Sequence, residues 1–187
     1  MDASIIIVIY NGINYIPGCL NSIYPKLQKE IELILVDNHS TDRSVEYIQE
    51  CYPNSRIIKN QVNVGFASAC NQGAAIAKGE YLVFINQDTR VQAGWLDGLL
   101  APFSSDPSIG LVTSKLLLMS RPEKIDLCGQ NIHFSGLSFA RGTLQPEKLY
   151  SQEQVVNAVA GASFAIRREL WQRLGGFDPL FFMYYEE

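Results

Sequence analysis

Short apolar runs alternate with amphipathic stretches over the first two-thirds of the chain, and each kind keeps its own period. The run 81–85 (Tyr-Leu-Val-Phe-Ile) reads as a strand buried on both faces, and 4–10, 31–36 and 56–59 read as further strands. Between them the spacing predicts helices at 15–24, with Pro17 in the first turn, at 43–51, and at 66–77, which is rich in small residues. The polar loop 37–42 (Asp-Asn-His-Ser-Thr-Asp) supplies capping side chains for the second helix, and Lys78-Gly79 ends the third. A helix at 94–103 and a strand at 109–114 continue the alternation. This order predicts an α/β fold, a doubly wound, mostly parallel sheet with helices on both faces. From 115 to 154 the pattern weakens around Gly129, Gly136 and Gly142, which suggests hairpins or a flexible active-site loop. Short strands at 155–160 and 163–166 follow, then a helix at 168–174 stopped by Gly175-Gly176.

Composition narrows the class without naming a function. A chain of 187 residues, 47% hydrophobic and 18% charged, fits a single globular domain. Its net charge of -4 argues against a nucleic-acid partner, since phosphate backbones demand clustered Lys and Arg. Cys19, Cys51, Cys70 and Cys128 form no C-x-x-C pair and read as reduced structural thiols of a cytoplasmic protein. The run 5–9 is too short for a signal peptide, Asp2 stands where a basic segment would, and no apolar run nears the roughly 20 residues of a membrane span. A soluble protein is expected, with peripheral contact to a membrane surface left open. The aromatic residues at 181–185 read as core. The chain stops there on Glu186-Glu187, in mid-element, which suggests a domain cut short at its C-terminal side.

Candidate chemistry collects where strands end. Tyr10-Asn11, Asp37-Asn38 and Asn86-Gln87-Asp88 each follow a predicted strand, so a parallel sheet would bring all three to one rim. There the Tyr10 ring could stack on a nucleobase, and the Asp37 carboxylate could accept an N–H of that base or a ribose hydroxyl. Asp88 could hold a divalent cation against a diphosphate, because such cations take oxygen ligands and keep positions free for substrate. Each also has a plainer reading: a strand end for Tyr10, a helix-capping loop for Asp37, and a polar turn for Asp88. No G-x-x-x-x-G-K-[ST] loop and no G-x-G-x-x-G after the first strand occurs, which disfavours P-loop and ordinary dinucleotide chemistry. His39 and His133, the two histidines, stand near no ligand pair, and no G-x-S-x-G elbow is present. Glu186-Glu187, after the aromatic run, would suit a general base at a helix start beside a cleft.

In this order, the segments 5–11, 35–42, 63–73, 86–88, 161–178 and 181–187 resemble the family 2 inverting glycosyltransferases of the GT-A fold, in particular their rhamnosyltransferase-like branch. The resemblance implies one GT-A-type domain over 1–187, with a nucleotide-binding half at 1–114 and an acceptor-side half at 115–187. It implies that Tyr10 stacks on the donor base, Asp37 contacts it, and Asn71 shapes the nucleotide pocket. Asn86-Gln87-Asp88 occupies the family's D-x-D position: Asp88 matches the acid that holds Mn2+ or Mg2+, Gln87 lies near the ribose, and Asn86 departs from the usual first Asp. Glu186-Glu187 matches the E-D motif, with Glu187 in the place of the catalytic base and one methylene longer.

The implied reaction moves a sugar from a nucleoside-diphosphate donor, deoxythymidine-diphosphate rhamnose or a uridine-diphosphate hexose, to a saccharide or lipid-linked acceptor. Cell-surface polysaccharide synthesis at the inner face of the cytoplasmic membrane is the implied setting. A chain ending on its own base is expected to bind donor better than it transfers sugar. Two other readings compete: a non-catalytic sugar-nucleotide-binding module, and a sugar nucleotidyltransferase, whose glycine- and basic-rich loop is missing from 11–14.

Overall fold

The apolar runs become strands of one sheet because their alternate side chains meet helical stripes on opposite faces. In the computed structural model, which describes residues 2–27 and 29–183, the elements are β1 (Ala3–Ile9), α1 (Ile16–Ile23), β2 (Ile31–Asp37), α2 (Ser44–Cys51), β3 (Arg56–Lys59), α3 (Phe66–Ile76), β4 (Tyr81–Ile85) and α4 (Trp95–Ser105). They continue with β5 (Leu111–Thr113), β6 (Leu116–Leu118), β7 (Arg121–Leu127), β8 (Gln130–Ile132), β9 (Ser138–Ala140), β10 (Ser163–Arg167) and α5 (Arg168–Leu174).

The odd-numbered residues Ile5, Ile7 and Ile9 of β1 pack with Ile16, Leu20 and Ile23 of α1, Ile48 of α2, and Leu99 and Phe103 of α4. The even-numbered Ile6 and Val8 pack with Ala67, Cys70 and Ala74 of α3 and with Trp171 of α5. Each fully buried Ile or Leu contributes about 1.5–3 kcal/mol relative to exposure, so two filled faces dominate the stability of the domain. The small residues of α3 have a steric cause: a Cβ on Gly73 would come within 2.5 Å of the Ile6 Cγ2.

The main sheet has the order β3-β2-β1-β4-β10-β5. β1 runs parallel to β2 and β4, and β2 parallel to β3, as the alternation predicts. β10 departs from that pattern: it is inserted antiparallel between β4 and β5. The stretch 115–154 resolves into two antiparallel hairpins, β6–β7 and β8–β9. The strand expected at 155–160 does not form. Ala158 makes an isolated bridge to Gln130, and the Gln130 side chain takes the Val159 carbonyl at 3.0 Å in place of a ladder.

Candidate functional site

Parallel pairing of β1, β2 and β4 delivers the ends of all three strands to one rim, and side chains stitch their loops together. The Gln87 carboxamide pairs reciprocally with the Tyr10 backbone: its Oε1 accepts the Tyr10 N–H at 3.1 Å and its Nε2 donates to the Tyr10 carbonyl at 3.1 Å. A Cβ on Gly12 would overlap that carboxamide, which is why the turn after β1 needs glycine. Asn11, at φ 46°, accepts the Thr41 N–H at 2.8 Å through its side chain, while its own N–H donates to Ser40 Oγ at 3.0 Å. The Asn38 N–H closes the seam on the Ile9 carbonyl at 2.7 Å. Tyr10 stays 47% exposed, so its ring is available at the surface of the rim.

Asp37 ends β2 nearly buried, with Oδ1 accepting the Ser40 N–H at 3.1 Å. The next residue was not singled out by the sequence reading, yet it organises the neighbouring loop. Asn38 donates through Nδ2 to Asn63 Oδ1 at 2.7 Å and to the Gly65 carbonyl at 3.2 Å. Its Oδ1 accepts the Val64 N–H at 2.9 Å and Asn60 Nδ2 at 3.1 Å. Its place inside the Asp37–Asp42 loop motif was the available signal. Asp42, near the turn into α2, accepts N–H bonds from Ile13 and Ser44 at 3.0 Å each and the Ser44 hydroxyl at 2.5 Å. Burial pushes its carboxyl up, but those bonds outweigh it and hold the group below its ordinary range.

Beyond β4, Asn86 is fixed through its backbone, donating to the Ala162 carbonyl at 3.0 Å and accepting the Thr89 N–H at 3.1 Å. Among the described residues its side-chain Oδ1 is buried without a partner, a costly state for an amide oxygen unless a ligand meets it. Asp88 is exposed, and its carboxylate has no hydrogen bond or ion pair among the described residues. The Cys19 thiol is pushed up to about 12, by burial first and then by the Asp88 charge. A cavity of about 870 Å3 opens beside Asn86 and Asp88 and runs along Trp95, Ser114 and Met119. At its floor Trp95 Nε1 donates to Ser114 Oγ and Ser163 Oγ at 3.2 Å each, and the two hydroxyls lie 2.8 Å apart.

The donor set suits a hard divalent cation in a particular way. Among the described residues no group of three His, Cys, Asp or Glu could hold a metal alone. A carboxylate and an amide oxygen two positions apart, both on residues lining the cavity and both without a partner among the described residues, fit a cation that draws its other ligands from a diphosphate and water. His39 is exposed at φ 71°, and His133 Nδ1 lies 2.8 Å from Ser135 Oγ, so neither histidine joins the rim through a described contact.

Asn71 spends its carboxamide on the backbone of Phe177. Its Nδ2 donates to the Phe177 carbonyl at 2.8 Å and its Oδ1 accepts the Phe177 N–H at 3.0 Å. Glu186 and Glu187 lie outside the described residues, as do Tyr184 and Tyr185. The described part of the aromatic run corrects the expectation of core: Phe181, Phe182 and Met183 are 45%, 53% and 53% exposed. That segment is held by its backbone, through the Phe66 N–H donating to the Phe182 carbonyl at 2.7 Å, and burial contributes little.

Open α/β sheets bind their ligands at the carboxyl ends of the strands, where these paired loops and the Asp88 carboxylate lie. The family profile described as Glycosyl transferase family 2 matches residues 4–174, and the chain belongs to that family. A glycosyltransferase of Haemophilus influenzae is 25% identical over 175 residues, covering 92% of this chain and 55% of that protein. An N-acetylglucosaminyl-diphospho-decaprenol L-rhamnosyltransferase of Mycobacterium tuberculosis is 25% identical over 94% of this chain and 66% of its own length. The crystal structure of GalNAc-T7 with UDP, GalNAc and Mn2+ superposes at a TM-score of 0.76 and 24% identity, over 100% of this chain and 39% of that one. The chain thus spans about half to two-thirds of these curated relatives. Among the described residues, no helix is long and apolar enough to cross a membrane.

Proposed function

We propose that this chain is the donor-binding part of a metal-dependent inverting glycosyltransferase. The observation that carries the reading is the joining of three strand-end loops at one rim, with Tyr10 exposed, Asp37 buried at the end of β2 and Asp88 unpaired among the described residues. In this reading Tyr10 stacks on the base, Asp37 fixes the base or ribose through its carboxylate, and Gln87 holds the Tyr10 backbone in place for that contact. Asp88 holds Mn2+ or Mg2+, and Asn86 turns its free Oδ1 toward the donor. A bound divalent cation would supply charge neutralisation on the departing nucleoside diphosphate. Glu187, after Glu186 in the chain, removes a proton from the acceptor hydroxyl as that oxygen attacks the anomeric carbon from the opposite side.

The cavity beside Asp88 would take the sugar and the reacting end of the acceptor, its Ser114–Trp95–Ser163 floor offering hydroxyls and its Leu116 and Met119 walls an apolar surface. In this reading 1–114 is the nucleotide-binding half and 115–187 the acceptor-side half, with the cavity lined from both. The rhamnosyltransferase relative supports deoxythymidine-diphosphate rhamnose as donor and a lipid-linked saccharide as acceptor, and the UDP held by GalNAc-T7 supports a uridine-diphosphate hexose. A lipid-linked acceptor would place the work at the inner face of the cytoplasmic membrane. The test is transfer by the full-length protein and its Glu187→Gln variant. Loss of a general base lowers the rate roughly 10²–10⁴-fold, with donor affinity unchanged. A variant that transfers at the wild-type rate would refute the assignment. Donor binding without transfer to any acceptor by the wild type would make the protein a binding module.

A further inference from the structure

The segment 177–183 is anchored at both ends while its middle is bare. At one end the Phe177 ring packs against Trp171 at 4.9 Å and Phe84 at 6.0 Å, on the strand that leads to Asn86. Asn71, 106 positions away in sequence, closes both of its amide functions on the backbone of the same residue, as a ladder partner would. Gly176, at φ 76°, makes room for this: a Cβ there would stand 2.5 Å from Asn71 Oδ1. At the other end the Phe182 carbonyl accepts the first N–H of α3, and a Cβ on Gly65 would stand 2.6 Å from that carbonyl oxygen. Between the anchors, Leu180 is 89% exposed, so apolar burial does not hold the segment.

The grip is also joined to the nucleotide side of the rim. The turn 63–65 that receives Phe182 is held from its other side by Asn38, the residue after Asp37. Residue 187 follows Phe182 by five positions, a tether of at most about 18 Å when extended. Fixing Phe182 therefore limits how far from it Glu187 can act.

We propose that Asn71 and Gly65 are positioning residues, which dock 177–182 on α3 so that the acid-bearing end starts from a fixed point beside the donor loops. Asn71 then serves the nucleophile's side of the reaction and leaves the nucleotide to others. The inference rests on the functional reading above, which makes Glu187 the base. Catalysis is sensitive to such placement, since a displacement near 1 Å can cost about 10²-fold in rate.

The experiment uses the full-length protein and its Asn71→Ala variant, with three readouts: kcat, the Kd for UDP or dTDP with Mn2+, and amide hydrogen exchange. Alanine suits a helix interior, so α3 remains formed. The expected result is a kcat lowered about 10²-fold, a nucleotide Kd within twofold of wild type, and exchange of the 177–182 amides faster by about tenfold. Gly65→Ala is the second variant and should speed exchange at Phe66 by pushing Phe182 away. Nucleotide affinity falling as far as kcat would return Asn71 to the nucleotide pocket and overturn the inference, as would unchanged exchange at 177–182. Wild-type protein that binds no nucleotide and transfers no sugar, with the exchange changes still seen, would instead sink the functional reading and leave a docking contact without a catalytic role.

Discussion

Replacing Asn38 by Ala is the sharpest structural perturbation available at the rim. The residue is 3% exposed and its side chain makes four hydrogen bonds, to Asn60, Asn63, Val64 and Gly65. Truncation removes all four, but the Gly65 carbonyl keeps the Ala69 N–H at 3.2 Å, Asn63 Oδ1 keeps the Gly65 N–H at 2.9 Å and Asn60 Nδ2 keeps Gln72 Oε1 at 2.8 Å, so each lost bond costs a net of about 0.5–1 kcal/mol. The sum is about 3 kcal/mol. For a domain of this size each kcal/mol moves Tm by about 2–4 °C, so Tm should fall by about 6–12 °C. Urea unfolding followed by tryptophan fluorescence and circular dichroism gives both the free energy and a check on two-state behaviour. A loss below about 0.5 kcal/mol, the usual range for a surface change, would refute the view that Asn38 binds the β2 and 63–65 loops into one unit.

Three further outcomes follow from named groups. Cys51 is exposed and should be alkylated readily in the native protein at pH 8, whereas Cys19, pushed up to about 12, should stay unmodified until the chain unfolds. Mass mapping after brief iodoacetamide treatment reads this directly. Asp42 is lowered below its usual 3.8 in the folded state, so the unfolded chain takes up a proton there first. Its contribution is therefore complete above about pH 4 and lost as pH falls below that value, and Asp42→Asn should flatten this part of the stability–pH profile. Gly12→Ala should displace the Gln87 carboxamide and weaken dTDP or UDP binding about tenfold in titration, through the Tyr10 backbone that Gln87 holds.

Much of the scaffold was legible because local rules and tertiary packing agree. The apolar runs of β1, β2 and β4 have no other stable place than a sheet covered twice, and Pro17, Gly65 and Gly175 mark helix ends in the ordinary way. The direction of β10 was not legible, because Ser-Phe-Ala-Ile-Arg at 163–167 carries the same pattern whether it runs parallel or antiparallel. The apolar stretch at 155–160 satisfied a strand pattern without finding a ladder to join. At the site, the strand-end acids could be located from the order of elements, but the uses of the amides could not. Gln87 reaches Tyr10 across 77 positions and Asn71 reaches Phe177 across 106, and nothing local in either side chain announces a backbone partner so distant. Residues 181–183 read as core from their apolar chemistry, yet the backbone hydrogen bond between Phe182 and Phe66 lets them stay exposed.

The central claim is that Asp88 and a divalent cation together hold a nucleoside diphosphate at this rim. Isothermal titration with UDP and dTDP, in Mn2+ and then in EDTA, tests it most directly on wild type and Asp88→Ala. One of the two nucleotides is expected to bind in Mn2+, EDTA to weaken it at least about tenfold, and Asp88→Ala in Mn2+ to behave like wild type in EDTA. Equal affinity in EDTA, or an Asp88→Ala variant that binds as the wild type does in Mn2+, would contradict it.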